Sequence, residues 1–168
     1  DEGQVYMDEA GYIEWEVEVP AAGLYNIILS YYPAPGRGGS IEREILINGE
    51  RPFAEAGYLL FHRVFGDAGQ IVRDSLGNEI RPAQIEFPVW QEVPLRDSRG
   101  YTQEPFLFYF NEGKNTIQLV SVQEPLIIGG LTLCQVPGTQ SYAAVRQSYG
   151  SDVKPVRDVF IKVQGEDA

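Results

Sequence analysis

The feature that most constrains this chain is a side-chain pattern of period two, which recurs three times before residue 50. In Tyr12–Val19, Ile13, Trp15, Val17 and Val19 share one face and Glu14, Glu16 and Glu18 share the other. Such alternation specifies a half-buried antiparallel strand with one wet face. Pro20-Ala21-Ala22-Gly23 interrupts it. Leu24–Tyr32 then brings Tyr25, Ile27, Leu29 and Tyr31 together, so the two runs read as a hairpin or as adjacent strands. Pro33-Ala34-Pro35-Gly36-Arg37-Gly38-Gly39 reads as a mobile loop. Ile41–Ile47 groups Ile41, Arg43, Ile45 and Ile47, and Asn48-Gly49 follows. That pair suits the two-residue turn in which both residues take positive φ.

The pattern returns late in the chain. Phe106, Phe108 and Phe110 alternate with Leu107 and Tyr109, and Asn111–Asn115 turns the chain into a strand over Thr116–Val122. Leu126–Cys134 is apolar enough to be a buried strand, interrupted by Gly129-Gly130, with Cys134 expected to be a buried small hydrophobe. Many short strands with Gly, Pro and Asn turns predict an all-β sandwich or barrel. The exception is Ser141–Tyr149, where Tyr142, Val145 and Tyr149 recur at helical spacing before Gly150, which predicts one short linker helix. Val159–Val163 is a last strand-like run. The expected organisation is a module over residues 1–136, a linker with a short helix over 137–158, and a strand within 159–168.

Composition removes several function classes. The net charge is −11, from 13 Lys and Arg against 24 Asp and Glu. That excess argues against a phosphate-backbone binder, which needs a basic face. One Cys and one His exclude an internal disulfide, a multi-Cys cluster and a two-His metal site. No apolar run reaches the roughly 18 residues of a membrane span. The chain opens at Asp1 without a signal-like segment, which reads as a mature form or an excised piece. The acidity is local: before Arg37 there are seven acidic residues and no Lys or Arg.

Between Tyr58 and Pro105 the alternation fails, and polar side chains mix with Tyr58, Phe61, Phe65, Phe87, Trp90 and Tyr101. A long irregular excursion on a β scaffold is commonly a functional loop, and its aromatic content argues against disorder. Phe87-Pro88-Val89-Trp90 is a stiff stretch that can hold an indole at the surface, or lay it as a lid over the core. Sugar rings suit an exposed indole, because their C–H faces stack on aromatic planes while their hydroxyls bond to Asp, Asn, Gln and Arg. The candidate contacts are Trp90, Tyr101 and Tyr58 for stacking, with Arg81 and Asp97 for hydroxyls. Arg81 and Asp97 equally suit an internal ion pair that ties the long loop down.

Other constellations have simpler readings. Alternate residues of the Glu14/Glu16/Glu18 comb stand about 7 Å apart by strand rise, a separation seen between glycosidase carboxylates, but a solvated strand face produces the same comb. Calcium takes six to eight oxygens from a loop that wraps it, and a flat strand does not wrap. His62 has no second His, Cys or Ser motif beside it, so it reads as a loop histidine with a structural or ligand hydrogen bond. The glycines of 36–39 do not open a helix and are no dinucleotide fingerprint.

Gly11-Tyr12-Ile13-Glu14-Trp15-Glu16-Val17-Glu18-Val19-Pro20, Gly23-Leu24-Tyr25 and Ile45-Leu46-Ile47-Asn48-Gly49 resemble the front half of carbohydrate-binding modules with a galactose-binding-like jelly roll. Gly77–Pro82 with Gln84, Asp97–Tyr101 and Glu104–Phe110 resemble the amino-terminal modules of large extracellular solute-binding proteins that serve ABC sugar transporters of Paenibacillus-type Gram-positive bacteria. The likeness covers residues 11–135. It implies a jelly-roll β-sandwich, extracellular on the cell surface, without catalysis, joined to neighbouring domains and with affinity for a polysaccharide or oligosaccharide. It supplies no binding residues.

Such modules open with an acidic strand that takes part in a structural calcium site. Nothing in residues 1–10 reads that way, whereas Phe160–Ala168 does. The expectation is a module that lacks its own first strand, with residues 159–168 either belonging to the next module as its first strand or completing this sandwich, Val159–Val163 then filling the vacant place in cis or from another copy. No cofactor is implied, and a structural calcium is doubtful unless Glu166 and Asp167 supply ligands. The alternative function is a structural spacer without glycan affinity. A small glycosidase or lyase would need two carboxyls facing each other in a cleft, and the sequence carries no local signal for that.

Overall fold

In a computed structural model of the protein, residues 3–138 and 140–150 are described. The alternating runs become strands that bury the faces their pattern assigns. In chain order these are β1 (Val5–Met7), β2 (Tyr12–Val19), β3 (Gly23–Pro33), β4 (Ile41–Ile47) and β5 (Leu59–Phe61), then β6 (Phe65–Asp67), β7 (Val72–Arg73), β8 (Glu79–Ile80), β9 (Gln84–Glu86) and β10 (Gln91–Pro94). β11 (Phe108–Phe110), β12 (Gly113–Gln123) and β13 (Leu126–Gln135) complete the strands, and α1 spans Tyr142–Ser148.

Two antiparallel sheets form the expected all-β sandwich. One runs β1-β13-β3-β10, with β11 also on β3; the other runs β2-β12-β4-β5. The chain crosses from one sheet to the other at most of its connections, in jelly-roll fashion, while β4 with β5 and β10 with β11 stay in one sheet. The inward faces supply one core that includes Tyr25, Ile27, Leu29 and Tyr31 of β3, Ile41, Ile45 and Ile47 of β4, Phe108 and Phe110 of β11, and Ile117 and Leu119 of β12. Each such side chain removed from water contributes about 1.5–3 kcal/mol. Ile13, Trp15 and Val17 of β2 pack against this core while Glu14, Glu16 and Glu18 stay exposed. The Asn48-Gly49 turn forms as its sequence dictates, with φ of 52° and 81°, and Ile47 and Glu50 exchange backbone bonds of 2.9 and 3.0 Å.

Arg43 occupies an inward position of β4 and is 0% exposed. Its guanidinium donates to the carbonyls of Glu42, Gln123 and Glu124 at 2.7–2.8 Å and contacts Met7 Sδ at 3.3 Å. Burial lowers its pKa to about 10, so it stays charged at neutral pH. It clamps the tight β12–β13 turn, where Glu124 takes a left-handed φ of 60°.

Four features depart from the sequence reading. Residues 1–10 do contain a strand: β1 pairs with Leu126–Ile128 of β13 and buries Met7. It escapes the alternation test because three residues are too few to show a period. The stretch from Phe65 to Phe87 is not irregular. β6 pairs with β9 and β7 with β8, giving one long hairpin arm that turns at Asp74–Asn78. Asp74 holds this turn by accepting from Asn78 Nδ2 and from the N–H groups of Asn78 and Leu76, bonds, the Asn78 side chain first, that keep its carboxyl below its ordinary pKa. No side chain from 65 to 87 joins the core. Cys134 is exposed rather than buried. The register of β13 slips between Ile128 and Gly130, so the inward positions pass from Leu126 and Ile128 to Leu131 and Leu133, and Cys134 turns outward. Arg81 and Asp97 do not pair, for reasons given below.

The chain divides into two units, Asp1–Pro137 and Gly138–Ala168. In the second, α1 begins at Ser141, whose side chain accepts from the Ala144 N–H. This is the predicted short helix. Val159–Val163, Glu166 and Asp167 lie outside the described residues.

Candidate functional site

The outer face of the β1-β13-β3-β10 sheet carries the feature that best suits a ligand. Register fixes it. Tyr6 of β1 stands opposite Ile127 of β13, and Ile127 stands opposite Tyr32 of β3. Gln91 of β10 pairs with Tyr31, so one step back along the chain Trp90 falls opposite Tyr32. Cross-strand partners share a face, and each of these residues adjoins an inward one: Tyr6 precedes buried Met7, Ile127 lies between buried Leu126 and Ile128, and Tyr32 follows buried Tyr31. The row Tyr6–Ile127–Tyr32–Trp90 therefore crosses the sheet on its solvent side. Trp90 is 44% exposed and Tyr6 59%. The Tyr32 and Trp90 rings lie with centroids 5.6 Å apart and planes at 49°.

Trp90 keeps its place because β13 leaves room for it. Gly129 is the residue skipped in the β13–β3 register, and a Cβ built there would lie 2.8 Å from the indole Cζ3 and 3.1 Å from Ser30 Oγ. The approach to Trp90 is also anchored. Phe87 donates its N–H to the Val64 carbonyl at 2.8 Å. Glu86, at the base of the arm, pairs with Arg63 at 2.7 Å. Arg63 also holds Glu124 at 2.9 Å and the carbonyls of Ala34 and Gly39 at 3.0 and 3.1 Å. Burial pushes the Glu124 carboxyl up, but the Arg37 N–H and the Arg63 charge outweigh it and hold its pKa below the ordinary value.

Of the sequence candidates, only Trp90 belongs to this face. Asp97, Tyr101 and Tyr58 gather around the loop that follows β10, separated from Trp90 by the length of that strand, about 13 Å. Asp97 is buried and accepts from the N–H groups of Arg99, Tyr101 and Thr102 at 2.9, 2.6 and 3.1 Å. These bonds, Arg99 first, hold its pKa below the usual carboxylate range. Its carboxylate is thus spent on the loop backbone, which is why it does not pair with Arg81. Arg81 is exposed on the hairpin arm. Tyr101 is 85% exposed, and Arg99 lies over the Tyr58 ring at 5.1 Å.

Two cavities flank that loop. One of about 400 Å³ opens between β5 and β10, with Tyr31, Phe61, His62, Gln91 and Ser98 among its walls. There the main chain of His62 does the bonding: its carbonyl accepts from Tyr31 Oη and Gln91 Nε2 at 3.1 and 2.8 Å. The other, about 460 Å³, is walled by Phe53, Phe106, Leu107 and Tyr101, with Glu55, Asp97 and Glu104 at its edges. Its one buried carboxyl is Asp97, which its backbone bonds keep ionised, the opposite of what a general acid needs. Among the described residues no group of three or more His, Cys, Asp or Glu side chains is placed to hold a metal, and no helix is long and apolar enough to cross a membrane.

The sequence reading missed Tyr6, Tyr32 and Gly129. Alternation in β3 does send Tyr32 outward, and Gly129-Gly130 marks an interruption, but only the pairing of distant strands aligns them.

Among solved structures, the chain is similar to carbohydrate-binding modules. A family 35 module from Clostridium thermocellum is 20% identical, with 76% of this chain and 72% of that one covered and a TM-score of 0.38. A second structure of a family 35 module from that organism is 15% identical, with 78% and 87% covered and a TM-score of 0.40. The family 35 module of Paenibacillus barcinonensis is 15% identical, with 76% and 72% covered and a TM-score of 0.42. No protein-family model matches the chain, and no curated protein does.

Proposed function

We propose that this chain is a non-catalytic carbohydrate-binding module that takes its ligand on the outer face of the β1-β13-β3-β10 sheet. The observation that carries the reading is the seat of Trp90: a half-exposed indole held over Gly129 and beside Tyr32, where burial in the core would otherwise hide it. An aromatic plane fixed in advance loses little freedom when a sugar ring stacks on it. Tyr101 and Tyr58 supply further stacking contacts at the Asp97 loop, with Arg81 on the arm and Asp97 shaping that loop. The reading requires no cofactor. The likeness of residues 11–135 to transporter-associated modules supports its context: an extracellular part of a larger sugar-capturing protein on the surface of a Gram-positive bacterium, with neighbouring domains in the same chain.

Calorimetric titration against a panel of soluble polysaccharides tests this. Wild type gives saturable binding to at least one, and Trp90→Ala weakens it about tenfold or more. Absence of binding to every polysaccharide favours the structural spacer. Turnover of any glycan would overturn both readings.

A further inference from the structure

The five strands of the sheet that carries Trp90 contain one ionisable charge, Glu92, and no Lys or Arg. The opposite sheet contrasts with it: β2 and β4 alone hold five glutamates and Arg43. Glu92 pairs with Ser30 and so stands on the same outer face, two residues from Trp90. A uronate-bearing chain laid there would meet one like charge and no cation from the strands themselves.

The aromatic row has a length and a direction. Tyr6 and Tyr32 lie on strands two places apart, about 10 Å at the usual strand spacing, and Trp90 lies one strand further, on the order of 14 Å from Tyr6. It runs from β1 at one edge of the sheet to β10 at the other, perpendicular to the strands. Two stacking rings two strands apart match alternate rings of an extended β-linked chain, which present equivalent faces. The 49° between Tyr32 and Trp90 suits a single twisted chain better than a flat crystalline surface.

Resting on the reading of this face as a glycan site, we propose that its ligand is the interior of a neutral, extended β-linked polysaccharide, lying across the strands over about four consecutive sugar units, with Trp90 and Tyr6 at the two ends of the contact.

The test is titration of wild type, Trp90→Ala and Tyr6→Ala with a size series of neutral β-1,4-linked oligosaccharides, from disaccharide to hexasaccharide, and with polygalacturonate. Circular dichroism confirms that the variants fold, as the exposure of both side chains predicts. The proposal expects affinity to rise about tenfold or more between disaccharide and tetrasaccharide, Trp90→Ala to weaken every length, Tyr6→Ala to weaken only the longer ones, and polygalacturonate not to bind. Equal affinity for disaccharide and hexasaccharide, indifference to Tyr6→Ala at all lengths, or preference for polygalacturonate overturns it while the glycan reading stands. Failure of every saccharide to bind removes the glycan reading and this proposal together.

Discussion

The indole of Trp90 lies where a side chain at Gly129 would have to be: a Cβ on that residue would stand 2.8 Å from Cζ3. The missing side chain in β13 and the aromatic that follows β9 thus form one unit, brought together by a register slip of a single residue.

Gly129→Ala is expected to push the indole off the sheet without unfolding the sandwich. Overpacking of this kind costs about 1–3 kcal/mol, with the lower end favoured because Trp90 is half exposed. A red-shifted tryptophan emission and weakened polysaccharide binding, with an unchanged far-ultraviolet spectrum, would report it. Unaltered emission would mean that the slot does not position Trp90.

Acid should weaken the clamp around Glu124. Its carboxyl pKa is held below the ordinary value in the folded state, so its ion pairs contribute stability above the unfolded-state pKa, and that contribution fades as pH falls below about 4. Asp97 and Asp74 are depressed as well and act in the same direction. Glu124→Gln is expected to cost about 2 kcal/mol at neutral pH, the scale of a hydrogen bond to a charged group, and to flatten part of the acid dependence in denaturant titrations between pH 3 and 7.

The loop from Asp97 to Thr102 depends on one carboxylate. Asp97→Ala removes the acceptor of three backbone N–H bonds. Trypsin should then cut faster after Arg96 or Arg99, while the core melts as one unit. Equal cleavage rates in variant and wild type would show that the loop holds itself.

The hairpin arm should be dispensable for folding. β6 and β9 pair at Asp67 and Gln84, a register that a two-residue Asn-Gly turn can close. Replacing residues 68–83 by that dipeptide is expected to change stability by only about 0.5 kcal/mol, because nothing between 65 and 87 enters the core. A large loss of stability would assign the arm a structural part.

The readable half of this chain is the half where one face is dry and the other wet. β2, β3, β4 and β12 carry five or more alternating positions each, enough for the pattern to declare both the strand and its inward side. β1 has three residues and a single buried one, Met7. The arm strands have two or three residues with both faces exposed, so solvent imposes no period on them. The fate of Asp97 was hidden for a different reason: its partners are backbone N–H groups, which every sequence possesses. Trp90 stands out as a stiffly held aromatic, but Tyr6 and Tyr32 lie 26 residues apart in sequence, and their alignment exists only through Ile127 of β13, 95 residues beyond Tyr32 and 121 beyond Tyr6. Contacts of that range follow from pairing, which local periodicity does not encode.

The glutamates of β2 also bear on how copies of the chain meet one another. Among the described residues β2 is hydrogen-bonded on one side only, by β12, so an eight-residue strand offers a row of unpaired amides and carbonyls. A second molecule docking there edge to edge would bring two sets of Glu14, Glu16 and Glu18 together at strand spacing, and like charges at that distance oppose the contact. Replacing the three glutamates by glutamine removes the repulsion and leaves the strand, so concentrated solutions of that variant should form dimers paired through β2 while the sandwich itself remains folded.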